Sequence, residues 1–155
     1  MAGTPTPSHA DDLFCHAIYA TWHVVNRAYK RHLSALGLTY PQYITLVLLW
    51  ERDHRIVSEI ASSLAMETST LTPLLKRLET NGLVRRERSK QDERQVVVSL
   101  TPAGQALQSK AGAITACMIK DTGLDHQELE AMIATLRKLG AGLSDLGETA
   151  DKTTA

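Results

Sequence analysis

The chain reads as mainly α with a small β-wing, a winged helix-turn-helix carried between N- and C-terminal helices. Three observations predict this. TSTLTPLLKRLETNG, from Thr68 to Gly82, has a leucine stripe on one side and hydroxyl and basic residues on the other. It runs straight into LVRRERSKQDERQVVVSLT, from Leu83 to Thr101, an arginine-rich stretch that ends in a β-branched strand. Long segments of helical period lie on either side of this pair. A short helix with small hydroxyls at its front fits a DNA major groove, and a basic two-stranded ribbon suits phosphates.

The elements follow in order. Asp11 or Asp12 can cap a first helix that runs to about Leu36 and stops at Gly37. Its apolar positions, among them Phe14, Ile18, Trp22, Val25, Tyr29 and Leu33, keep a period near 3.6. Thr39 and Pro41 open a second helix, because a first-turn proline gives up an amide that has no helical partner there anyway. That helix, YPQYITLVLLWERD, is nearly all apolar and is expected to be buried. Residues 56–65 form a short amphipathic helix with Ile56, Ile60, Ala61 and Leu64 inward.

The next helix turns Leu71, Leu74, Leu75 and Leu78 inward and ends near Asn81, with Gly82 as a left-handed stop. Pro73 is comfortable only in a first turn, so either the cap lies near Ser69–Thr70 or the helix is kinked. Strands are expected over 83–89 and 94–100. Thr101-Pro102 repeats the cap-plus-proline start, for a long helix to about Thr122 with Gly123 behind it. Asp125 and Glu128 have capping-box spacing, and a last helix runs to about Leu146. Gly140 and Gly142 weaken that helix.

The expected layout is one domain over 11–147. Dimerisation helices occupy about 11–36 and 102–147, the winged helix-turn-helix about 40–101, and small polar tails 1–10 and 148–155. The outer helices carry long apolar faces that the central module is too small to cover. A second copy would cover them and set two recognition helices on successive grooves of a palindromic site, whereas an intramolecular helical bundle would cover them within one chain. Trp22 and Trp50 are read as core residues.

Formal net charge is zero, so there is no global basic field, and any nucleic-acid site must be a local patch. Residues 83–94 supply one: Arg85, Arg86, Arg88, Lys90 and Arg94 against Glu87, Asp92 and Glu93. No apolar run resembles a signal peptide or a membrane span, so a cytoplasmic protein is expected. Two cysteines 102 positions apart, Cys15 and Cys117, make no disulfide framework and are expected to rest as thiols. His23, His32 and His54 lack metal-ligand spacing. No zinc motif, phosphate loop or catalytic triad is present, and no cofactor is expected.

The wing carries Asp92-Glu93-Arg94, then five residues, then Leu100-Thr101. This D-x-R…L-T pattern resembles the MarR family of winged helix-turn-helix repressors, over about residues 11–147. LTYPQYITLVLLWE (38–51), TLTPLLKRLE (70–79) and RSKQDER (88–94) are similar to its organic-hydroperoxide-sensing, OhrR-type branch. That branch carries a peroxidatic cysteine in an L-x-C-x-A-x-Y context, which here is Leu13-Phe14-Cys15-His16-Ala17-Ile18-Tyr19.

The resemblance implies a homodimeric, redox-controlled repressor of palindromic operator DNA, with an organic hydroperoxide as effector. Cys15 would be the sensing thiol. Tyr29 and Tyr40 match tyrosines that hydrogen-bond it across the dimer interface, and Tyr19 matches another of that pocket. Phenol O–H donors facing the sulfur would stabilise its thiolate. Cys117 falls about where two-cysteine members carry a resolving cysteine; packed as a small apolar residue it would have no such role. His16 stands where an apolar aromatic is usual, which makes the pocket more polar at one edge. Glu67-Thr68-Ser69 replaces the usual Asp-Ser-Gly, which alters the front of the recognition helix.

On the helix, Thr68, Ser69, Thr70, Thr72, Lys76 and Arg77 are the candidate DNA contacts. On the wing, Arg94 resembles the arginine that enters the minor groove, and Asp92 orients it. Arg85, Arg86, Arg88 and Lys90 are phosphate candidates. Three rival readings stand beside this one: a repressor released by a small aromatic ligand, a thiol peroxidase, and a scaffold of the same fold that binds no DNA. The peroxidase reading lacks a conventional active-site motif and leaves the wing without a role.

Overall fold

The computed structural model describes residues 9–151, with side chains through 144. The chain divides into two compact units, Met1–Thr115 and Ala116–Ala155. Residues 1–8 and 152–155, most of the two expected tails, lie outside the described residues.

The first unit holds α1 (Phe14–Leu33), α2 (Tyr40–Glu51), β1 (Arg55–Ile56), α3 (Val57–Ser63), α4 (Thr68–Thr80), β2 (Val84–Arg88), β3 (Val96–Leu100) and α5 (Pro102–Ala106). α6 (Gln108–Thr122) begins in it. The sheet has the order β1-β3-β2 and is antiparallel throughout, with Arg86 opposite Val98 and Arg55 opposite Val98 on the other edge. Its core is Leu33, Leu46, Leu49, Ile60, Leu71, Leu75, Leu78, Val84 and Val98, all within 2% of full burial.

Local chemistry explains most boundaries. Thr39 and Gln42 form a reciprocal capping box at the start of α2, with Pro41 in its first turn. Gly37, Gly82 and Gly123 all take positive φ, at 65°, 72° and 69°, where a Cβ would be strained. Leu71, Leu75 and Leu78 are the buried face of α4, with Leu74 half-buried.

Several expectations are corrected. Neither Asp11 nor Asp12 caps α1: Ala10–Asp12 forms a short 3-10 turn, and Leu13 takes the cap position with no side-chain acceptor. Ile56 belongs to β1 rather than to α3, because its backbone pairs with Val97. α4 begins at Thr68 behind Glu67 and runs unbroken across Pro73, so the cap lies earlier than Ser69–Thr70. The strands are shorter than expected, and Arg94 lies in the loop between them. The long helix from Pro102 is broken at Leu107 into α5 and α6. Trp22 is not core: it is 43% exposed.

The second unit contains the rest of α6 and α7 (His126–Asp151). Asp125 and Glu128 form the expected box: the Glu128 N–H donates to Asp125 Oδ1 at 2.9 Å, and the Asp125 N–H to Glu128 Oε2 at 2.8 Å. With no proline after it, α7 passes the expected stop at Leu146 and takes in residues 148–151 of the expected tail. Met132, Ile133, Leu136 and Leu143 are exposed along α7. Among the described residues, no single helix is long and apolar enough to cross a membrane.

Among the described glycines, Gly104 is the one with no room for a side chain: it is buried in α5, and a Cβ there would run into the Leu83 carbonyl oxygen. That oxygen cannot yield easily, because it accepts the Thr101 N–H at 3.0 Å. Gly104→Ala should therefore cost about 1–3 kcal/mol, read as a lower urea midpoint at unchanged slope. An unchanged midpoint would mean that the two segments separate freely.

Candidate DNA interface and thiol site

The outer face of α4 presents Thr68, Ser69, Thr70, Thr72, Lys76 and Arg77, all exposed, while its leucines hold the other face in the core. The Thr72 hydroxyl donates to the Thr68 carbonyl at 2.8 Å, which leaves its lone pairs outward as acceptors. Pro73 has no N–H, so the Ser69 carbonyl has no helical donor and stays available to another.

The hairpin tip, residues 89–95, is ordered by its own polar groups. Ser89 Oγ accepts the backbone N–H groups of Gln91 and Asp92 at 3.2 and 3.3 Å. Asp92 Oδ1 accepts the backbone N–H of Arg94 at 3.1 Å and its Nε–H at 3.2 Å. Arg94 is thereby aimed while its side chain remains 91% exposed. Arg85, Arg88 and Lys90 are exposed as well. Thr68 and Thr72 of α4 share a cleft of about 290 Å³ with Arg86, Arg94 and Val96 of the wing.

Arg86, expected among the phosphate contacts, is engaged elsewhere. Its Nε and Nη2 donate to Glu79 Oε2 at 2.9 and 2.7 Å, and its backbone N–H donates to Glu79 Oε1 at 3.1 Å. Only 21% of its side chain is exposed. Hydrogen bonding from Arg86 holds the Glu79 carboxyl below the usual range. Sequence reasoning missed Glu79; its one signal was a carboxylate seven residues before an arginine across a glycine stop. Asp53 was missed too: its Oδ1 accepts the Leu100 N–H at 2.9 Å, tying the end of β3 to the turn after α2.

Cys15 lies exposed in the first turn of α1. His16 beside it faces Asp11 at 3.7 Å. Tyr19 is 63% exposed, with its ring edge on His23. Tyr29 and Tyr40 pack together, their ring centres 4.7 Å apart, and Trp22 meets Tyr40 edge-on at 5.1 Å. Tyr43 and Trp50 extend this cluster, and neither was expected in it. Tyr43 shares a 2.9 Å hydrogen bond with the Thr115 hydroxyl. Burial, then the neighbouring phenols, raises the pKa of both Tyr29 and Tyr40, so each keeps its proton and remains a donor at neutral pH.

Tyr29 is fourteen residues along α1 from Cys15, or about 21 Å on the helix rise. One chain therefore does not bring the thiol and Tyr29 together. Cys117 is exposed on α6, in the second unit. No group of three or more His, Cys, Asp or Glu side chains suited to a metal occurs among the described residues.

A helix-turn-helix followed by a hairpin wing defines a winged-helix DNA-binding protein, and comparison with known proteins agrees. Residues 27–111 match the profile of the SarA/Rot transcriptional regulators. The chain is 42% identical over 139 residues to the HTH-type transcriptional regulator TtmR of Methylorubrum extorquens, covering 90% of this chain and 71% of that one. It is 39% identical over 129 residues to the organic hydroperoxide resistance transcriptional regulator of Bacillus subtilis, covering 81% and 88%. Among solved structures, reduced AbfR of Staphylococcus epidermidis bound to DNA superposes with TM-score 0.77 at 32% identity, over 88% of this chain and 93% of that one. A disulfide-formed AbfR matches with TM-score 0.62 at 34% identity, over 81% and 88%. The chain belongs to the MarR-type family of winged-helix transcriptional regulators. These relatives are regulators and not enzymes.

Glu79 gives this surface a definite acid response. Its folded pKa lies below its ordinary 4.5, so its contribution to stability is full above that value and is lost as pH falls through the lowered one. The stability gap between wild type and Glu79→Gln, measured by urea unfolding, should be constant from neutral pH to about 5 and close at lower pH. A gap independent of pH would mean that the carboxylate charge plays no part.

Proposed function

We propose that this protein is a homodimeric repressor that releases its operator when an organic hydroperoxide oxidises Cys15. The observation that carries this reading is the exposed thiol at the head of an apolar helix face that one chain leaves open. Phe14, Ile18 and Trp22 follow one another along that face, all exposed, and α7 has an exposed apolar row of its own. A second copy covering these faces gives a two-fold dimer with 11–36 and 102–147 as its dimerisation helices. In such a dimer Tyr29 and Tyr40 of one subunit approach Cys15 of the other, with Tyr19 and His16 at the pocket edge. The Bacillus relative, named for organic hydroperoxide resistance, and the disulfide-formed AbfR support the redox assignment.

The chemistry balances simply. The Cys15 thiolate attacks the outer peroxide oxygen, the O–O bond breaks, and the departing alkoxide takes up a proton to leave as an alcohol. The resulting sulfenic acid is attacked by a second thiol: a disulfide forms and water leaves. Cys117 of the partner chain is the second thiol in this reading. The new bond moves the paired α4 helices off their half-site spacing. A dithiol reductant, itself oxidised to a disulfide by exchange, returns both cysteines to thiols and restores that spacing.

On DNA, α4 enters the major groove with Thr68, Ser69, Thr70, Thr72, Lys76 and Arg77. Arg94, aimed by Asp92, enters the minor groove, and Arg85, Arg88 and Lys90 meet phosphates.

A second reading has its own observation. Arg27, Lys30, Ser34 and Tyr40 line an open groove of about 550 Å³ between α1 and α2, which suits a small anionic aromatic ligand.

A gel shift on the DNA upstream of the gene separates the two. Wild type should release the duplex when an organic hydroperoxide is added, and Cys15→Ser should stay bound. If both release or both hold, Cys15 is not the switch and the groove becomes the effector site. On a non-reducing gel, peroxide-treated wild type should run as a cross-linked dimer and Cys117→Ser as a monomer. A cross-linked Cys117→Ser would remove the resolving role.

A further inference from the structure

We propose that Glu79 is a positioning residue for DNA selectivity: it braces the wing against the recognition helix and withholds Arg86 from the phosphate backbone. The proposal rests on the reading of α4 and the wing as the DNA-contacting surface.

Glu79 stands in the last turn of α4. Its two oxygens take three hydrogen bonds from one residue of β2, two from the guanidinium and one from the backbone amide. A side-chain pair alone would hold only the end of a flexible side chain. The added amide bond fixes the β2 backbone itself, and Arg86 lies opposite Val98, which is fully buried in β3. The sheet is therefore clamped to the end of the helix. From that clamp the hairpin extends to Arg94, whose aim relative to Thr68 and Thr72 across the shared cleft follows from it.

Charge supplies the second half of the argument. Arg86 lines the same cleft as Arg94, so a released guanidinium could reach a phosphate. Each new phosphate contact strengthens binding to any sequence and adds one counterion to the salt dependence. Paired with Glu79, Arg86 contributes no net charge to that face. The pair therefore lowers indiscriminate binding while it holds the base-reading parts in register. A purely structural bridge would do only the second.

The two roles separate experimentally. The probes are a duplex selected by the wild-type protein from a random library and a shuffled duplex of the same composition. Binding to each is measured across a salt series with wild type, Glu79→Gln, Arg86→Gln and the double variant. Glu79→Gln should lower the selected-to-shuffled affinity ratio about tenfold. On the shuffled duplex it should also steepen the log–log salt slope by about one per subunit. Arg86→Gln and the double variant should lose the ratio without gaining the slope. Circular dichroism melts establish that each variant is folded; if Glu79→Gln is not, Arg86→Gln carries the ratio and Arg86→Lys, with its cation kept but the paired guanidinium donors to Glu79 Oε2 lost, carries the slope. A ratio within twofold of wild type, or a lost ratio with no change of slope in the cation-bearing variant, overturns the proposal. Wild type showing no salt-dependent duplex binding would instead overturn the DNA reading on which it rests.

Discussion

Where the recognition helix ends, the wing returns and the C-terminal arm begins, a single hydroxyl joins all three. Thr101 Oγ1 donates to the Gly82 carbonyl at 2.6 Å and accepts the Gly104 N–H at 3.1 Å, while the Thr101 N–H donates to the Leu83 carbonyl. Gly104 lies against that same carbonyl, and its own oxygen takes the Trp50 Nε1–H at 3.0 Å. α2, β3, α5 and the turn after α4 thus meet at one knot, in which the Thr101 hydroxyl and the Trp50 indole N–H bind backbone groups. A buried unmet carbonyl there would cost about 1–3 kcal/mol, so the geometry of every element leaving the knot is tightly set. The clamp between Glu79 and Arg86 and the tie from Asp53 to Leu100 act on the same sheet, the first on its edge strand β2 and the second on the end of its central strand β3.

Features set by neighbours in sequence were legible before any coordinates. The helix starts at Thr39 and Thr101 with the prolines behind them, the box at Asp125 and the glycine stops at Gly37, Gly82 and Gly123 each depend on a few adjacent residues, while the partner role of Gln42 at Thr39 went unread. What was not legible depends on distant ones. β1 is two residues long and exists only because β3 is there to pair with it. α4 crosses Pro73 because Leu71, Leu75 and Leu78 are buried around it, so tertiary packing outweighs one lost hydrogen bond. The break at Leu107 carries no glycine or proline signal. In the site, the polar face of α4 and the exposed Arg94 were readable from periodicity and charge. The engagement of Arg86 was not, since a charge run does not say which member finds a carboxylate. Trp22 was read as core on the apolar stripe of the first helix, yet in one chain that stripe is left open there, and the ring stands edge-on to Tyr40.

The aromatic cluster and the basic wing meet opposite electrostatic demands. Tyr29 and Tyr40 lie half-buried among other rings, and that surrounding keeps their phenols protonated as neutral donors. The wing keeps its charges in water, where an arginine retains its cation and its full fork of donors. A chain of zero net charge can hold both because its acids are placed locally: Glu79 and Asp92 each answer one arginine, and Arg85 and Arg88 stay exposed.

Glu79 stands eleven residues from Thr68, about 16 Å along α4. The bracing of the wing and the front of the recognition helix are therefore separable parts of one element. Substitutions at Thr68, Ser69 and Thr70 remove none of the hydrogen bonds of the clamp, which are made by Glu79 and Arg86 alone. The front of α4 can therefore change in sequence at three exposed positions while the bonds that hold the wing to the end of the same helix stay as they are.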